Sequence, residues 1–147
     1  MGLDMYLNAE RYLWSHEEGD KQISENIGQL IGLPTDGKVK TITVEAGYWR
    51  KSNQIHNWFV ANVQEGKDEC QEAYVSREQL TELREVCQKI LDNNELAEKL
   101  LPTASGFFFG GTEYDQWYFN DIEETIKIID NALLMPKQWD FNYRSSW

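Results

Sequence analysis

Period-two alternation at the start of the chain, with Leu3, Met5 and Leu7 set against Asp4, Tyr6 and Asn8, predicts a strand with one buried face running on toward Leu13. The chain therefore begins in its sheet, and later segments must supply strand partners and a cover for the apolar face. Residues 39–45 (VKTITVE) alternate and are β-branched, which gives a second strand. SGFFFGG (residues 105–111) reads as an aromatic strand between glycines. Trp139, Phe141 and Tyr143 alternate once more and predict an edge strand near the C-terminus.

Helical spacing fills the intervals. Ile23, Ile27, Leu30 and Ile31 predict a short helix stopped by Gly32, Leu33 and Pro34. Gly47 is expected to end the second strand, because Tyr48, Ile55, Phe59 and Val63 then fall on one helical stripe over residues 48–64. Ser76 followed by Arg77, Glu78 and Gln79 is a capping box, and Leu80, Leu83, Val86, Cys87, Ile90 and Leu91 carry that helix to Asn93. A short helix over residues 95–101 ends at Pro102. A long one over residues 114–135 runs through Trp117, Ile122, Ile126, Ile129 and Leu133 to Pro136. The order lacks a regular crossover repeat, so the expected fold class is α+β: a small mixed sheet of about four strands packed against three to four helices in a single domain.

Composition supports one core. A chain of 147 residues with 41% hydrophobic and 13% aromatic residues offsets its ordering entropy without a metal or disulfide staple. Its longest apolar run lies within residues 106–111 and its start lacks a basic and apolar leader pattern, so the expectation is a protein neither secreted nor membrane-spanning. Cys70 and Cys87 suggest two reduced thiols. The net charge of −11 is concentrated in residues 65–112 (ten acids, five bases) and 113–131 (six acids, one base), which argues against direct nucleic-acid binding and against an anionic membrane.

Against that field, basic and aromatic residues gather in one block. On a helix, Trp49, Asn53 and His56 would form a stripe beside the apolar one, with Arg50, Gln54 and Asn57 next to it, and Lys51 and Trp58 nearby. Arg50 and Lys51 suit a phosphate or carboxylate, Asn53 and Asn57 a base or sugar, and a tryptophan suits a ring. The glycine-aromatic segment adds Phe108, Thr112 and Tyr114 as ligand-binding candidates, because glycines let a ligand approach the backbone. The same residues also admit a structural reading, in which Arg50 and Lys51 are solvated, His56 is a satisfied packing residue, and the glycines make turns. GxGxxG, GxxxxGK[ST], GxSxG and HExxH are absent, no metal-ligand spacing is present, and no cofactor is implied.

MGLDMYL (residues 1–7), YWRKSNQIHNWF (48–59) and GFFFGGTEYDQWY (106–118) together resemble a group of small, mostly uncharacterised proteins of bacteriophages and prophages, over about residues 1–130. The resemblance implies an accessory protein acting in the host bacterial cytoplasm, and brings with it no catalytic residues. Three expectations follow. The first is a non-catalytic counter-defence protein that captures a small phosphorylated or nucleotide-like ligand on the 49–58 block. The second is an acidic inhibitor, or nucleic-acid mimic, that blocks a host defence protein. The third is a small hydrolase or transferase using His56 with Asp4, Cys87 being a more remote partner for that histidine. Six tryptophans, one of them the terminal Trp147, also suggest a homo-oligomer contact.

Overall fold

The computed structural model describes residues 2–106 and 109–147. Strand β1 (Asp4–Tyr12) lies inside the sheet, with β2 (Thr41–Arg50) on one side and β4 (Asp140–Ser146) on the other; β3 (Ala73–Val75) lies beyond β4. Every pairing is antiparallel, so the four-stranded α+β expectation holds with a uniformly antiparallel sheet. Met5, Leu7 and Ala9 are fully buried, as the alternation requires, and Phe141 and Tyr143 extend that buried face across β4. At about 1.5–3 kcal/mol for each large apolar side chain removed from water, this face anchors the core.

The helices are α1 (Glu18–Leu30), α2 (Asn53–Asn62), α3 (Arg77–Asp92), the single turn α4 (Ala97–Leu100) and α5 (Gln116–Leu133). Helices α3 and α5 pack on each other, and α5 also packs on β2. The capping box forms as expected: Ser76 Oγ accepts from the Gln79 N–H at 3.0 Å, and Gln79 Oε1 accepts from the Ser76 N–H at 3.0 Å. Gly32, at φ +72°, ends α1 as the sequence predicts, with the Leu33 N–H donating to the Gly28 carbonyl at 2.9 Å and the Gly32 N–H to that of Gln29 at 3.3 Å.

Several expectations are corrected. Gly47 does not end β2: it pairs opposite Leu7, the register shifts beside it where Asn8 pairs with Glu45 and Ala46 is skipped, and β2 continues through Tyr48 and Trp49 to Arg50. A Cβ at Gly47 would lie 2.3 Å from Ile128 Cγ2, so this glycine serves the close approach of α5 to the sheet. The helix expected from residue 48 starts only at Asn53, which leaves Tyr48 exposed and Trp49 buried, while Ile55 and Phe59 are fully buried as predicted. The C-terminal strand is interior rather than an edge, because β3 pairs with its far side. In α5 the expected stripe holds at Ile122 and Ile129, which are fully buried, but fails at its start: Trp117 is 78% exposed, whereas Tyr118 is buried and donates from its hydroxyl to the Leu101 carbonyl at 2.8 Å. The described part of residues 105–111 is not a strand; Phe107 and Phe108 lie outside the described residues, so the reading of Phe108 as a ligand contact lies outside them too.

Candidate functional site

The block that carried the ligand expectation is divided by the turn out of β2. Lys51 adopts φ +57° and its N–H donates to the Leu3 carbonyl at 2.7 Å, which swings the chain from the sheet directly into α2. Trp49, Asn53 and His56 therefore form no helical stripe: Trp49 and Arg50 belong to a strand, and alternation sends them to opposite faces. Trp49 is buried and donates through Nε1 to Thr125 Oγ1 at 2.9 Å, while Arg50 and Lys51 are exposed. Asn57 is exposed on α2, and Trp58 is half-buried edge-on against Phe59 at 5.4 Å.

Asn53 holds the glycine-rich segment in place. Its amide nitrogen donates to the carbonyls of Phe109 at 3.0 Å and Gly111 at 2.8 Å, and its Oδ1 accepts from the Ala104 N–H at 2.9 Å. Thr112 and Tyr114 brace the same loop: the Thr112 carbonyl accepts from Thr103 Oγ1 at 2.8 Å, and the Tyr114 hydroxyl accepts from the Thr103 N–H at 3.2 Å. These amide and hydroxyl contacts satisfy the fold internally.

His56 is 1% exposed. Its Nε2 is 3.0 Å from Asp68 Oδ2 and its Nδ1 is 2.6 Å from the Tyr143 hydroxyl, while Asp68 Oδ1 accepts from Trp147 Nε1 at 3.0 Å. Burial pushes the Tyr143 phenol well above its ordinary value, so the hydroxyl that meets Nδ1 keeps its proton, and a neutral imidazole that accepts that proton at Nδ1 carries its own N–H on Nε2, facing the carboxylate. The phenol ring stacks on Phe59 at 4.0 Å, with no exposure to solvent. Asp4, the partner expected for His56, instead accepts a hydrogen bond from the Tyr48 hydroxyl. Cys87 is fully buried in α3, where burial raises its thiol to about 12. Cys70 lies in a loop at φ +57°, and both thiols are free.

A concave site does exist, in a stretch read from sequence only as loops around a short helix. The end of β1, helix α1 and residues 33–40 enclose a cleft of about 610 Å³. The Leu13 N–H donates to the Lys40 carbonyl at 2.7 Å. Ser24 Oγ donates to the Val39 carbonyl at 2.9 Å and accepts from the Val39 N–H at 3.0 Å. The floor is thus fixed by backbone and hydroxyl contacts. Asp20, on the wall, takes Arg11 Nη2 at 2.7 Å and the Trp14 N–H at 3.0 Å, and these bonds hold its carboxyl below the usual range, the Trp14 bond contributing most. With Asp20 already paired, the remaining lining charges are Lys21, Lys38 and Lys40 against Glu25, and no ion pair engages any of these four among the described residues. Trp14 is 53% exposed at the mouth, edge-on to Tyr12 at 4.7 Å and 5.6 Å from His16. The sequence signal for this site was the outward alternation of Tyr12, Trp14 and His16, together with half of the six bases in residues 1–64 falling at positions 21, 38 and 40.

Among the described residues no group of three or more His, Cys, Asp or Glu side chains is placed to hold a metal ion, and no helix is long and apolar enough to cross a membrane. Compared with protein-family models, with curated proteins and with solved structures, the chain matches none.

Proposed function

We propose that this chain is a non-catalytic binding protein that captures a small phosphorylated anion in the cleft beneath α1. The observation that carries the reading is that Lys21, Lys38 and Lys40 all line one ligand-sized concavity in a chain whose net charge is −11. Lysines that line a concavity and make no ion pair among the described residues suit an anion that the fold does not itself provide. The polar groups that a hydrolase would draw on are engaged elsewhere: His56 with Tyr143 and Asp68, and Asp4 with Tyr48. In the setting that the phage resemblance implies, such a protein acts by sequestering a phosphorylated signal in the bacterial cytoplasm. The expected ligand class is retained from the sequence, and the residues proposed to hold it move from the 49–58 block to the cleft.

Calorimetric titration with ribose 5-phosphate tests this. The protein should bind the sugar phosphate, and Lys38→Ala/Lys40→Ala should bind it at least about tenfold more weakly at an unchanged melting temperature, since each charge-assisted contact contributes about 1.5–3 kcal/mol. Mass spectrometry of material released by heating the protein purified from cells should show a phosphorylated compound. A wild-type protein that binds no phosphate ester and releases none overturns the reading. Weight would then pass to the acidic-inhibitor alternative, which draws on the neighbouring helices α3 and α5, with exposed Glu78, Glu82 and Glu85 on the first and Glu123 and Glu124 on the second.

A further inference from the structure

We infer that the cleft has a second subsite, for a planar ring, so that the preferred ligand is a mononucleotide rather than a sugar phosphate or free phosphate; the inference rests on the phosphate-capture reading above. Leu13 is buried, whereas Tyr12, the last residue of β1, and Trp14, just beyond it, leave their rings exposed and in contact with each other. Neither takes part in the hydrophobic core, yet 48% of Tyr12 and 53% of Trp14 face solvent at the rim of the cleft. Two large aromatic rings left in water beside a cavity are surface that a ligand can cover.

The indole is also held in place. The Trp14 backbone is tied through its N–H to Asp20 at 3.0 Å, and its ring is braced edge-on by Tyr12 at 4.7 Å and an interplanar angle of 65°. Tyr12 and His16 both flank the indole, and the 53% of Trp14 that stays exposed is the surface offered for stacking. Because the ring is already ordered, little conformational entropy is lost when a base settles on it. Size points the same way. A cleft of about 610 Å³ is in the range that encloses a ligand of drug size, and inorganic phosphate or a pentose phosphate would leave much of it to water. Lys38 and Lys40 lie on the segment that closes the floor, so a base on Trp14 and a phosphate near these lysines occupy one continuous cavity. Glu25 on the same wall, and the −11 net charge, disfavour a long polyphosphate strand and favour a single nucleotide.

The experiment titrates wild type, Trp14→Ala, Trp14→Phe and Lys38→Ala/Lys40→Ala with inorganic phosphate, ribose 5-phosphate, adenosine 5′-monophosphate and adenosine, each variant being checked by its thermal melt. Wild type should bind adenosine 5′-monophosphate at least about tenfold more tightly than ribose 5-phosphate. Trp14→Ala should erase that advantage and leave ribose 5-phosphate binding unchanged, Trp14→Phe should keep part of it, and the double lysine variant should weaken both phosphates. If wild type binds both phosphates with one affinity and Trp14→Ala changes neither, the ring subsite is refuted while phosphate capture stands. If wild type binds neither, the underlying reading fails as well. Should Trp14→Ala not fold, the intact protein answers instead: the nucleotide must quench an indole emission component that is missing from Trp14→Phe, and absence of that quenching overturns the subsite.

Discussion

Replacing His56 by alanine measures how far the polar residues of α2 belong to the fold. The substitution removes a ring that is 1% exposed and breaks its contacts with the Tyr143 hydroxyl, at 2.6 Å, and with Asp68, at 3.0 Å. Asp68 is 27% exposed and regains water, whereas the Tyr143 hydroxyl has no route to solvent and remains buried without a partner. An orphaned buried hydroxyl costs about 1–3 kcal/mol, and the lost ring leaves a cavity of comparable consequence, so the total should be about 3–5 kcal/mol. For a domain of this size that corresponds to about 10–16 °C of melting temperature. Tyr143→Phe provides the internal check, because it removes the hydroxyl that His56→Ala would strand. In the phenylalanine background, His56→Ala should cost about 1–2 kcal/mol less than in the wild type. Circular dichroism melts and urea titrations of the four proteins complete the cycle. Costs that add to within about 0.5 kcal/mol, or a His56→Ala protein that melts like wild type, would show that the histidine is not a structural link between α2 and β4.

Arg50→Ala, by contrast, should change stability by less than about 0.5 kcal/mol in the same assay, since this side chain is exposed. Gly47→Ala should destabilise by about 1–3 kcal/mol, because its Cβ would lie 2.3 Å from Ile128 Cγ2; adding Ile128→Ala should recover part of the loss, and a neutral Gly47→Ala would place α5 further from the sheet. Burial raises the Asp121 carboxyl above its usual range, with a hydrogen bond from Gln54 pulling the other way. The folded state therefore binds that proton more tightly than the unfolded chain, and stability is lost as pH rises through the folded value. Asp121→Asn should accordingly raise the melting temperature near neutral pH, with a gain that shrinks in acid; a lower melting temperature at neutral pH would refute it. Cys87, raised to about 12 by burial, should stay unlabelled by a thiol reagent at mild alkaline pH while the partly exposed Cys70 reacts, and two labelled thiols in the native protein would contradict the buried assignment.

What was legible in the sequence was local. The alternation of Leu3, Met5 and Leu7 marked β1, Ser76 and Gln79 marked the start of α3, and Gly32 marked the end of α1, because each signal lies within one turn or one pleat. Where the reading failed, a distant residue decided the outcome. Gly47 looks like a strand breaker until Ile128 of α5 is brought against it. Residues 140–146 look like an edge until the three-residue β3, too short to show a period, pairs with them. His56 and Asp4 looked like partners, but β1 turns Asp4 to the Tyr48 side of the sheet, and the residue that does meet His56 Nδ1 is 87 positions away. Of the ligand candidates, the structural alternative described Arg50 and Lys51 as solvated and His56 as satisfied, and that is how they are placed.

The block from 49 to 58 and the α1 cleft look equally polar in sequence, and hydrogen-bond accounting distinguishes them. At α2 the buried amide of Asn53 spends both its donor and its acceptor on the 104–111 loop, and His56 spends both ring nitrogens, so a ligand could engage these groups only by breaking bonds that hold the domain together. At the cleft the order is reversed. Arg11 (through Nη2), Asp20 and Ser24 bond to one another and to the backbone, while Lys21, Lys38 and Lys40 make no ion pair among the described residues, with Glu25 the one acid left unpaired beside them. Groups already paired make a scaffold, and unpaired charges around a cavity have most of their interaction energy still to give. A site proposed to hold a small anion without being reshaped by it needs both parts, and here α1 carries Lys21 beside the framing Asp20 and Ser24, while Lys38 and Lys40 come from the segment that follows it. Variants in the cleft should therefore alter binding with little change in melting, and variants at His56 should do the opposite.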